Sequence, residues 1–338
     1  MEFDIYKRLK GANGPFFIVE ISSNHNGEMS KAKKMIDMVI KAGADCVKFQ
    51  SWSKNSLSSK KVYEGREKLA AENQRICMTK EKFKEIKEYC DQKKILLSSS
   101  AFSNEEIDML VNLNMPFLKI SSLDLTNIPL IKYAAKTNLP IVMSVGMSNL
   151  EDIEKAIETI KNEGNQKAIL THCVSLYPTH DGIVNLRAIN ILKETFNLPV
   201  GFSDHTIGHA APIAAATLGA CIIEKHVLLN DGKSCREQSF ALPIVQLASL
   251  IDNIKRIPYM MQKKGLVLSD EEIEERHRMR RSIVTNKPLI EGNIIKKEDI
   301  DFKRPGTGIS PGELKYILGR KLKVNKTQDE LIFWNDLH

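Results

Sequence analysis

Eight short apolar segments alternate with helical patterns between residue 16 and about residue 260. Apolar residues within the intervening segments recur at helical spacing, as at Met35, Ile36 and Val39 in a helix predicted at about 29–42. This alternation predicts βαβ units and a parallel sheet. Eight units in about 245 residues match the size of a closed (β/α)8 TIM barrel. A doubly wound open sheet is the structural alternative, because periodicity does not show closure.

The sequence changes character after residue 260. Residues 261–279 are strongly charged and are predicted to form a linker or helix. Residues 280–338 contain short apolar runs and turn pairs such as Glu-Gly and Pro-Gly, which predict a small β-rich domain. The expected organisation is therefore a barrel over 1–260, a linker over 261–279 and a small domain over 280–338. The longest insertion within the barrel, about 52–79, is polar and has no strand pattern, so a functional loop is expected there.

Composition excludes several classes of function. The net charge is +7, but the lysines are interleaved with acidic residues along helices, so no nucleic-acid partner is expected. No apolar stretch is long enough to span a bilayer, and the N-terminal segment lacks the apolar centre of a signal peptide. The six cysteines have irregular spacing and no CxxC pair, which together with these absences favours the reducing cytoplasm.

Polar side chains follow each apolar run. If the sheet closes, they converge on the rim at which barrels place their chemistry. These residues are Glu20, Lys48, Gln50, Ser99, Ser100, Lys119, Ser122, Ser144, His172, Tyr177, Ser203, His205, Glu224 and His226.

Lys48 and Lys119 lie between apolar residues and are expected to be buried, so each needs an anionic partner. Glu20 and Asp124 are candidate protein partners. Serines at the same rim instead favour an anionic ligand carrying phosphate and carboxylate groups. A desolvated lysine could also form a Schiff base.

His205 and His226 end the seventh and eighth predicted strands, which are neighbours in a barrel. Two imidazoles at one height suit a divalent metal with positions open for water and substrate. Hydrogen-bonded rim histidines are the alternative. Glu224, in the same Glu-Lys-His tripeptide as His226, is expected to point to the other face of the strand unless the strand is bulged.

Eight ordered motifs resemble those of the sialic acid synthase family, which includes N-acetylneuraminate, legionaminate, pseudaminate and spore-coat polysaccharide synthases. The motifs are VEISSNHNG, AGADCVKFQSW, FLKISSLDLTNIPLIK, SVGMSN, HCVSLYPT, VGFSDHTIG, LGACIIEKHV and KRPGTGIS. The resemblance implies a barrel followed by an antifreeze-like (SAF) domain. It implies condensation of phosphoenolpyruvate with an N-acetylmannosamine-type aldose, releasing phosphate. It also implies a divalent metal, usually Mn²⁺ with Mg²⁺ or Co²⁺ as alternatives, and a domain-swapped homodimer.

The same resemblance implies roles for individual residues. His205 and His226 resemble the metal ligands, and Arg304 resembles an arginine donated to the partner's sugar site. The residues implied in catalysis are Glu20, His205, His226 and Glu237. The residues implied in substrate binding are Lys48, Gln50, Lys119, Ser122, Asp124, Ser144, Ser175, Tyr177, Ser203 and Arg304.

The sequence departs from the family pattern at several positions. Glu237 stands where the family has an aspartate. Asp124 stands where several family members have a glutamate, and Ser175 stands where some members have an asparagine. Ser22 and Ser23 replace Gly-Ile. These changes bear on the acceptor sugar more than on the chemistry, and segments 52–79 and 230–240 are expected to select that sugar.

Three other functions are consistent with parts of the pattern. A 3-deoxy-ulosonate synthase would also use phosphoenolpyruvate, but the tail domain and the histidine pair count against it. A Schiff-base aldolase would need no metal. A non-catalytic binding protein on a degenerate barrel would not need the histidines and lysines.

Overall fold

The computed structural model describes residues 3–11, 14–262 and 265–338, without the side chains of residues 10, 11, 54 and 55. The chain divides into two compact units, Met1–Gln262 and Lys263–His338. Within the described residues, no helix is long and apolar enough to cross a membrane.

The first unit is a closed parallel barrel. Strands pair in chain order from β1 to β8, and β1 also pairs with β8, from Phe16 opposite Ile222 to Glu20 opposite His226. This pairing confirms the predicted barrel and excludes the open sheet. The strands are β1 Phe16–Glu20, β2 Cys46–Gln50, β3 Leu96–Ser100, β4 Leu118–Ile120, β5 Ile141–Ser144, β6 Ala168–His172, β7 Val200–Asp204 and β8 Ile222–Leu228, with a two-residue β9 Leu242–Pro243 beside β8.

Helices separate the strands and pack their apolar stripes on the outside of the barrel. The helix predicted at 29–42 spans Met29–Ala42. Gly43 caps its carboxyl end with a positive φ of 81°, a backbone conformation that glycine adopts easily. The helices of this unit are α1 Ile5–Gly11, α2 Met29–Ala42, α3 Lys54–Leu57, α4 Lys60–Tyr63, α5 Glu67–Ile76, α6 Lys80–Lys93, α7 Asn104–Asn112, α8 Ile128–Lys136, α9 Leu150–Asn162, α10 Ala188–Phe196, α11 Ala210–Thr217 and α12 Leu247–Met260.

Alternation along the strands sorts the barrel interior into layers. A lower layer is apolar and includes Phe16, Phe117, Val142 and Ile222. Because side chains two residues apart share a face, the next inward positions on the same strands lie nearer the carboxyl ends. After Phe117, Val142 and Ile222 these positions are polar, namely Lys119, Ser144 and Glu224. On β1 the apolar Ile18 comes first and Glu20 follows, so the barrel has an apolar floor beneath a polar upper layer.

The insertion at 52–79 is helical rather than a loop, which corrects the expectation from the sequence. Ser53 caps α3 through a capping box with Ser56. Helix α5 buries Asn73 and Ile76 on one face. The other residues of α5 are mostly polar and largely exposed. Because so few apolar residues mark its buried face, the sequence of the insertion shows no clear helical pattern.

The second unit is small and β-rich. Helix α13 Asp270–Met279 is followed by an antiparallel pair, β10 Ser282–Thr285 and β11 Ile300–Lys303, and by the one-turn helix α14 Leu314–Ile317. Isolated bridges such as Leu289 to Lys326 and Leu322 to Leu337 tie the remaining segments together. Nine buried apolar side chains form its core: Ile283, Leu289, Ile295, Ile300, Ile309, Ile317, Leu322, Ile332 and Leu337.

Candidate active site

A cavity of about 500 Å³ opens at the carboxyl ends of the barrel strands. Because parallel strands all end at this rim, the polar layer of the barrel lines the cavity. The lining includes Glu20, Ser22, Ser23, Lys48, Gln50, Trp52, Leu57, Lys119, Ser122, Ser144, Ser175, Tyr177, Ser203, His205, Glu224, His226, Arg236, Glu237 and Phe240.

The two histidines predicted as metal ligands lie side by side. Their ring centroids are 5.3 Å apart, and both side chains are buried. His205 Nδ1 donates to Val174 O at 2.8 Å, and His226 Nδ1 bonds Glu237 Oε2 at 2.7 Å. Each ring therefore keeps Nε2 for another partner, and ligating histidines in proteins are commonly oriented by such bonds at the second nitrogen.

The electrostatics favour a neutral His205. Burial, reinforced by the neighbouring His226, lowers the pKa of His205 to about 3. Burial also opposes protonation of His226, but Glu237 outweighs it and raises the pKa of that ring. Neutral imidazole is the form that ligates a metal, so His205 is ready to bind a divalent cation, whereas a cation bound by His226 would displace the proton that Glu237 favours on that ring. No cluster of three or more His, Cys, Asp or Glu side chains forms a complete ligand set within the described ranges, so substrate or water would fill the other positions.

Two buried lysines face two buried carboxylates at the base of the cavity. Lys48 contacts Glu20 and lies 3.6 Å from Glu224, and Lys119 lies 3.7 Å from the same Glu224 oxygen. Burial opposes the charge of Lys48, but Glu20 and Glu224 raise its pKa. Burial lowers the pKa of Lys119. Although burial also opposes the charge on Glu224, Lys119 and Lys48 lower its pKa to about 2.

Hydroxyl groups surround the lysines on one side. Lys119 Nζ donates to Ser144 Oγ at 2.5 Å, and Ser203 Oγ donates to Glu224 Oε1 at 3.0 Å. Gly146 N donates to Ser122 Oγ at 3.1 Å. A Cβ at Gly146 would lie 2.5 Å from Ser175 Oγ and 2.9 Å from Ser122 Oγ, so this glycine leaves room for the hydroxyl cluster. Serine hydroxyls beside two lysines suit a phosphate or carboxylate ligand.

The other predicted residues occupy different places. Gln50 and Tyr177 line the cavity, and the Tyr177 ring centroid lies 4.2 Å from that of His205. Asp124 accepts from Ser121 Oγ and Asn127 Nδ2 at 3.2 and 3.1 Å, in the turn after β4. It therefore does not partner either buried lysine. Arg304 belongs to the second unit, just after β11.

Glu224 corrects one expectation from the sequence. It was expected to face away from His226, but residues two apart on a regular strand share a face. Glu224 and His226 both line the cavity, whereas the intervening Lys225 points the other way and bonds Asp204 Oδ2 at 2.6 Å. Glu224 is thus the buried partner of both lysines, and its other oxygen, Oε2, has no hydrogen-bond partner among the residues that the structure describes.

Sequence reasoning also missed Asn24, Trp52, Arg236 and Phe240. Asn24 lies in the Asn-His-Asn-Gly segment after β1, whose residue types are typical of a turn. Its fully buried side chain donates to Val227 O at 2.7 Å and to Glu237 Oε2 at 2.9 Å. Polar residues in a turn carry no local sign of such a long-range contact, since Asn is common in turns for local reasons.

The fold and the cavity define the class of this protein: a (β/α)8-barrel enzyme with polar residues at the carboxyl ends of its strands, followed by a small β-rich domain. The sequence profile of the NeuB family matches residues 35–265, and that of the SAF domain matches residues 280–338. The chain belongs to the NeuB family, which confirms the resemblance to sialic acid synthases.

Relatives match along nearly the whole chain. An uncharacterized protein of Methanocaldococcus jannaschii is 37% identical over 333 residues, covering 98% of this chain and 97% of the relative. The N,N'-diacetyllegionaminic acid synthase of Legionella pneumophila is 32% identical over 339 residues, covering 95% and 94%. The crystal structure of the N-acetylneuraminic acid (sialic acid) synthetase of Leptospira borgpetersenii, in complex with citrate, has a TM-score of 0.71 and 32% identity, covering 78% of this chain and 91% of that one.

Proposed function

We propose that this chain condenses phosphoenolpyruvate with an N-acetylmannosamine-type aldose to give a nonulosonic, sialic-type acid and phosphate. The observation that carries the proposal is the pairing, in one cavity, of two adjacent histidines, each held through Nδ1, with a cluster of buried lysines and serines. Membership of the NeuB family supports the same reaction.

The reaction balances with water as the only further reactant. A carbon–carbon bond forms between C3 of phosphoenolpyruvate and the aldehyde carbon, whose oxygen becomes a hydroxyl. Water adds at C2, and the C2–oxygen bond to the phosphate group breaks. Lys48, Lys119 and the serines Ser122, Ser144, Ser175 and Ser203 would hold the enol ester, with positioning and charge supplying most of the acceleration.

Glu20 or Glu237 would steer the water or the sugar hydroxyls, and the position of Glu20 supports such a role. Glu20 lines the cavity, and its Oε1 accepts from Ser22 N at 2.7 Å. Gln50 and Tyr177 would contact the sugar from the rim. Asp124 does not line the cavity, so it would act on the substrate through the turn after β4.

His205 and His226 are the residues that would hold a divalent metal, for which we propose Mn²⁺, with Mg²⁺ or Co²⁺ as alternatives. A metal bound there would polarise the aldehyde oxygen as a Lewis acid. Glu237 acts on His226 in this arrangement, because its carboxylate accepts a hydrogen bond from Nδ1–H of His226 and so fixes the orientation of the ring.

The assembly proposed from the resemblance is a domain-swapped homodimer in which Arg304 reaches the partner's sugar site. The barrel would end near residue 260, and the SAF domain would occupy 280–338 beyond a linker at 261–279. The cytoplasmic location stays a prediction.

Phosphate release tests the function directly. Metal-stripped protein is mixed with phosphoenolpyruvate and a panel of 2-acetamido aldoses, with and without Mn²⁺. We expect phosphate and a nine-carbon acid in equal amounts, only when aldose and metal are both present. Because phosphoenolpyruvate has no free carbonyl group, a Schiff-base aldolase would use pyruvate in its place. Metal-independent condensation of pyruvate, together with borohydride trapping at Lys48 or Lys119, would therefore establish an aldolase.

A further inference from the structure

A buried ion pair lies behind the two histidines, on the face of the barrel wall turned away from the cavity. Lys225 Nζ donates to Asp204 Oδ2 at 2.6 Å, and both side chains are fully buried. Neither lines the cavity, so the proposed condensation does not use them directly. Because taking two charges out of water is costly, the presence of this pair needs an explanation.

The pair lies where the regular pairing of β7 with β8 ends. Asp204 and Lys225 are the last residues of these two strands that pair in register. His205 and His226 come directly after them in the chain. Strand β8 continues through His226 to Leu228, whereas β7 ends at Asp204. Regular strand pairing therefore does not fix the position of His205 relative to His226.

Lys225 and Asp204 also bind the backbone beyond His205. Lys225 Nζ donates to Thr206 O, and Asp204 Oδ1 accepts from Thr206 N at 2.8 Å. The residues before and after His205 are thus both bonded to one lysine of β8. The carbonyl group of His205 itself accepts from Thr179 N at 2.9 Å, a bond to the loop after β6. The ion pair therefore ties the segment that carries His205 to β8.

The energetics indicate that this pair positions the strands more than it stabilises them. In a buried ion pair, the loss of hydration offsets the attraction between the charges, and apolar residues of similar volume often give equal or greater stability. Apolar side chains, however, cannot bond Thr206 N and O. Buried polar groups whose hydrogen bonds are all made favour one arrangement over others. Here that arrangement brings His205 beside His226.

We propose that Lys225 and Asp204 clamp the end of β7 to β8 and so set the distance between His205 and His226 at which both rings bind one divalent metal. Both are positioning residues, because neither lines the cavity that the two rings face. A metal site tolerates departures of only about 0.2 Å from its preferred ligand distances. A shift of His205 therefore lowers metal affinity without removing a ligand. The proposal rests on the metal site of the proposed function.

Calorimetric titration of the metal-stripped, full-length protein with Mn²⁺ tests the clamp. Asp204→Leu/Lys225→Met removes both charges together, so no unpaired charge stays buried. We expect its affinity for Mn²⁺ to fall about 10- to 100-fold, the usual range when a group that orients a metal ligand is lost. The Tm of the metal-free variant should equal or exceed that of the wild type. Raising the Mn²⁺ concentration by the same factor should restore most of the phosphate release, because every group that lines the cavity remains.

Two further variants separate positioning from folding. Asp204→Asn/Lys225→Met keeps an amide oxygen that accepts from Thr206 N, so it should lose less affinity, and it decides the question if the first variant does not fold. Ile223→Ala is the matched control, because Ile223 is fully buried and lies two residues before Lys225 on the same face of β8. It should lower the Tm, since it leaves a cavity, but keep the wild-type affinity for Mn²⁺.

Three outcomes would overturn the clamp. Wild-type affinity in both double variants would remove its role and leave the synthase function standing. An equal loss of affinity in Ile223→Ala would also remove it, because the effect would then follow the general packing of the strands. A wild type that binds no Mn²⁺ contradicts the metal site of the proposed function, and the clamp with it.

Discussion

The Glu237 carboxylate joins two buried groups that are far apart in sequence. Its Oε2 accepts from His226 Nδ1 at 2.7 Å and from Asn24 Nδ2 at 2.9 Å. Asn24 is held in turn by Val227 O, so the orientation of His226 depends on a chain of hydrogen bonds. An aspartate at this position would have to shift its backbone to make both bonds, because its side chain is one methylene shorter.

This arrangement predicts the behaviour of Glu237→Gln. The amide keeps the volume of the side chain but removes the charge that orients His226. We expect metal affinity, measured by calorimetry on metal-stripped protein, to fall about 10- to 100-fold, as is usual when a group that orients a ligand is changed. His226→Ala should abolish that binding step, and His180→Ala, at an exposed position, should leave it intact. Unchanged affinity in Glu237→Gln would show that the carboxylate has another role.

His25 predicts an acid sensitivity outside the proposed chemistry. Its ring is fully buried, and Nδ1 accepts from Gly27 N at 3.0 Å, whereas Nε2 has no hydrogen-bond partner in the described part of the chain. Burial, together with repulsion from Lys82, Lys31 and Arg75, lowers its pKa to about 4. The unfolded chain, with a histidine pKa of about 6.5, therefore binds the proton more readily than the folded chain.

The sign of the effect follows from that difference. The contribution of neutral His25 is complete above a pH of about 6.5 and is lost as the pH falls toward 4, by up to about 3 kcal/mol. Urea unfolding of wild type and His25→Gln at pH 7 and pH 4.5 should show a smaller pH dependence in the variant. His180→Gln should keep the wild-type dependence, and identical slopes in wild type and His25→Gln would remove His25 as the cause.

Gly146 connects β5 to the hydroxyl cluster. A methyl group there would lie within 2.9 Å of Ser175 Oγ, Ser122 Oγ and Cys173 Sγ. Gly146→Ala should therefore displace the serines and raise the KM of phosphoenolpyruvate about 10-fold or more, since a loss of about 1.4 kcal/mol of binding free energy lowers affinity tenfold. The KM of the sugar should change little. Gly182→Ala is the control, because a Cβ there meets nothing within 4 Å. Equal effects of the two substitutions would argue against a ligand at this cluster.

The strands show how far sequence could predict the cavity. Glu20, Lys48, Ser144 and His226 lie at or near the carboxyl ends of strands whose apolar runs are visible in the sequence. Their convergence at one rim therefore followed once the sheet was assumed to close. The position of Glu224 also followed from the alternation of side chains along a strand, and the expectation that it faces away misapplied the rule. Arg236 could not be predicted, because its partner Asn73 is 163 residues away and neither lies in a periodic pattern.

The two units differ in what the sequence could establish. The strand–helix pattern occurs eight times in the first unit, and it predicted the barrel because each occurrence indicates the same architecture. The second unit has two regular strands and several isolated bridges, so its sequence showed turns and short apolar runs without a definite topology. Its core of nine buried apolar residues is small, which makes a role for the domain in assembly physically reasonable.

Arg304 provides the test of that assembly. If it acts on the partner's barrel, Arg304→Ala should raise the KM of the sugar while leaving phosphoenolpyruvate binding unchanged. Mixing this variant with His226→Ala, under conditions that allow subunits to exchange, should restore activity, because a hybrid dimer combines one intact barrel with one intact Arg304. Random exchange at equal amounts would make about a quarter of the sites complete, since half of the dimers are hybrids with one such site each.

A mixture of His226→Ala with Glu237→Gln is the control. It should yield at most the activity of Glu237→Gln alone, because both defects lie in the barrel. Full exchange of subunits without any recovered turnover would mean that Arg304 serves its own chain or neither site.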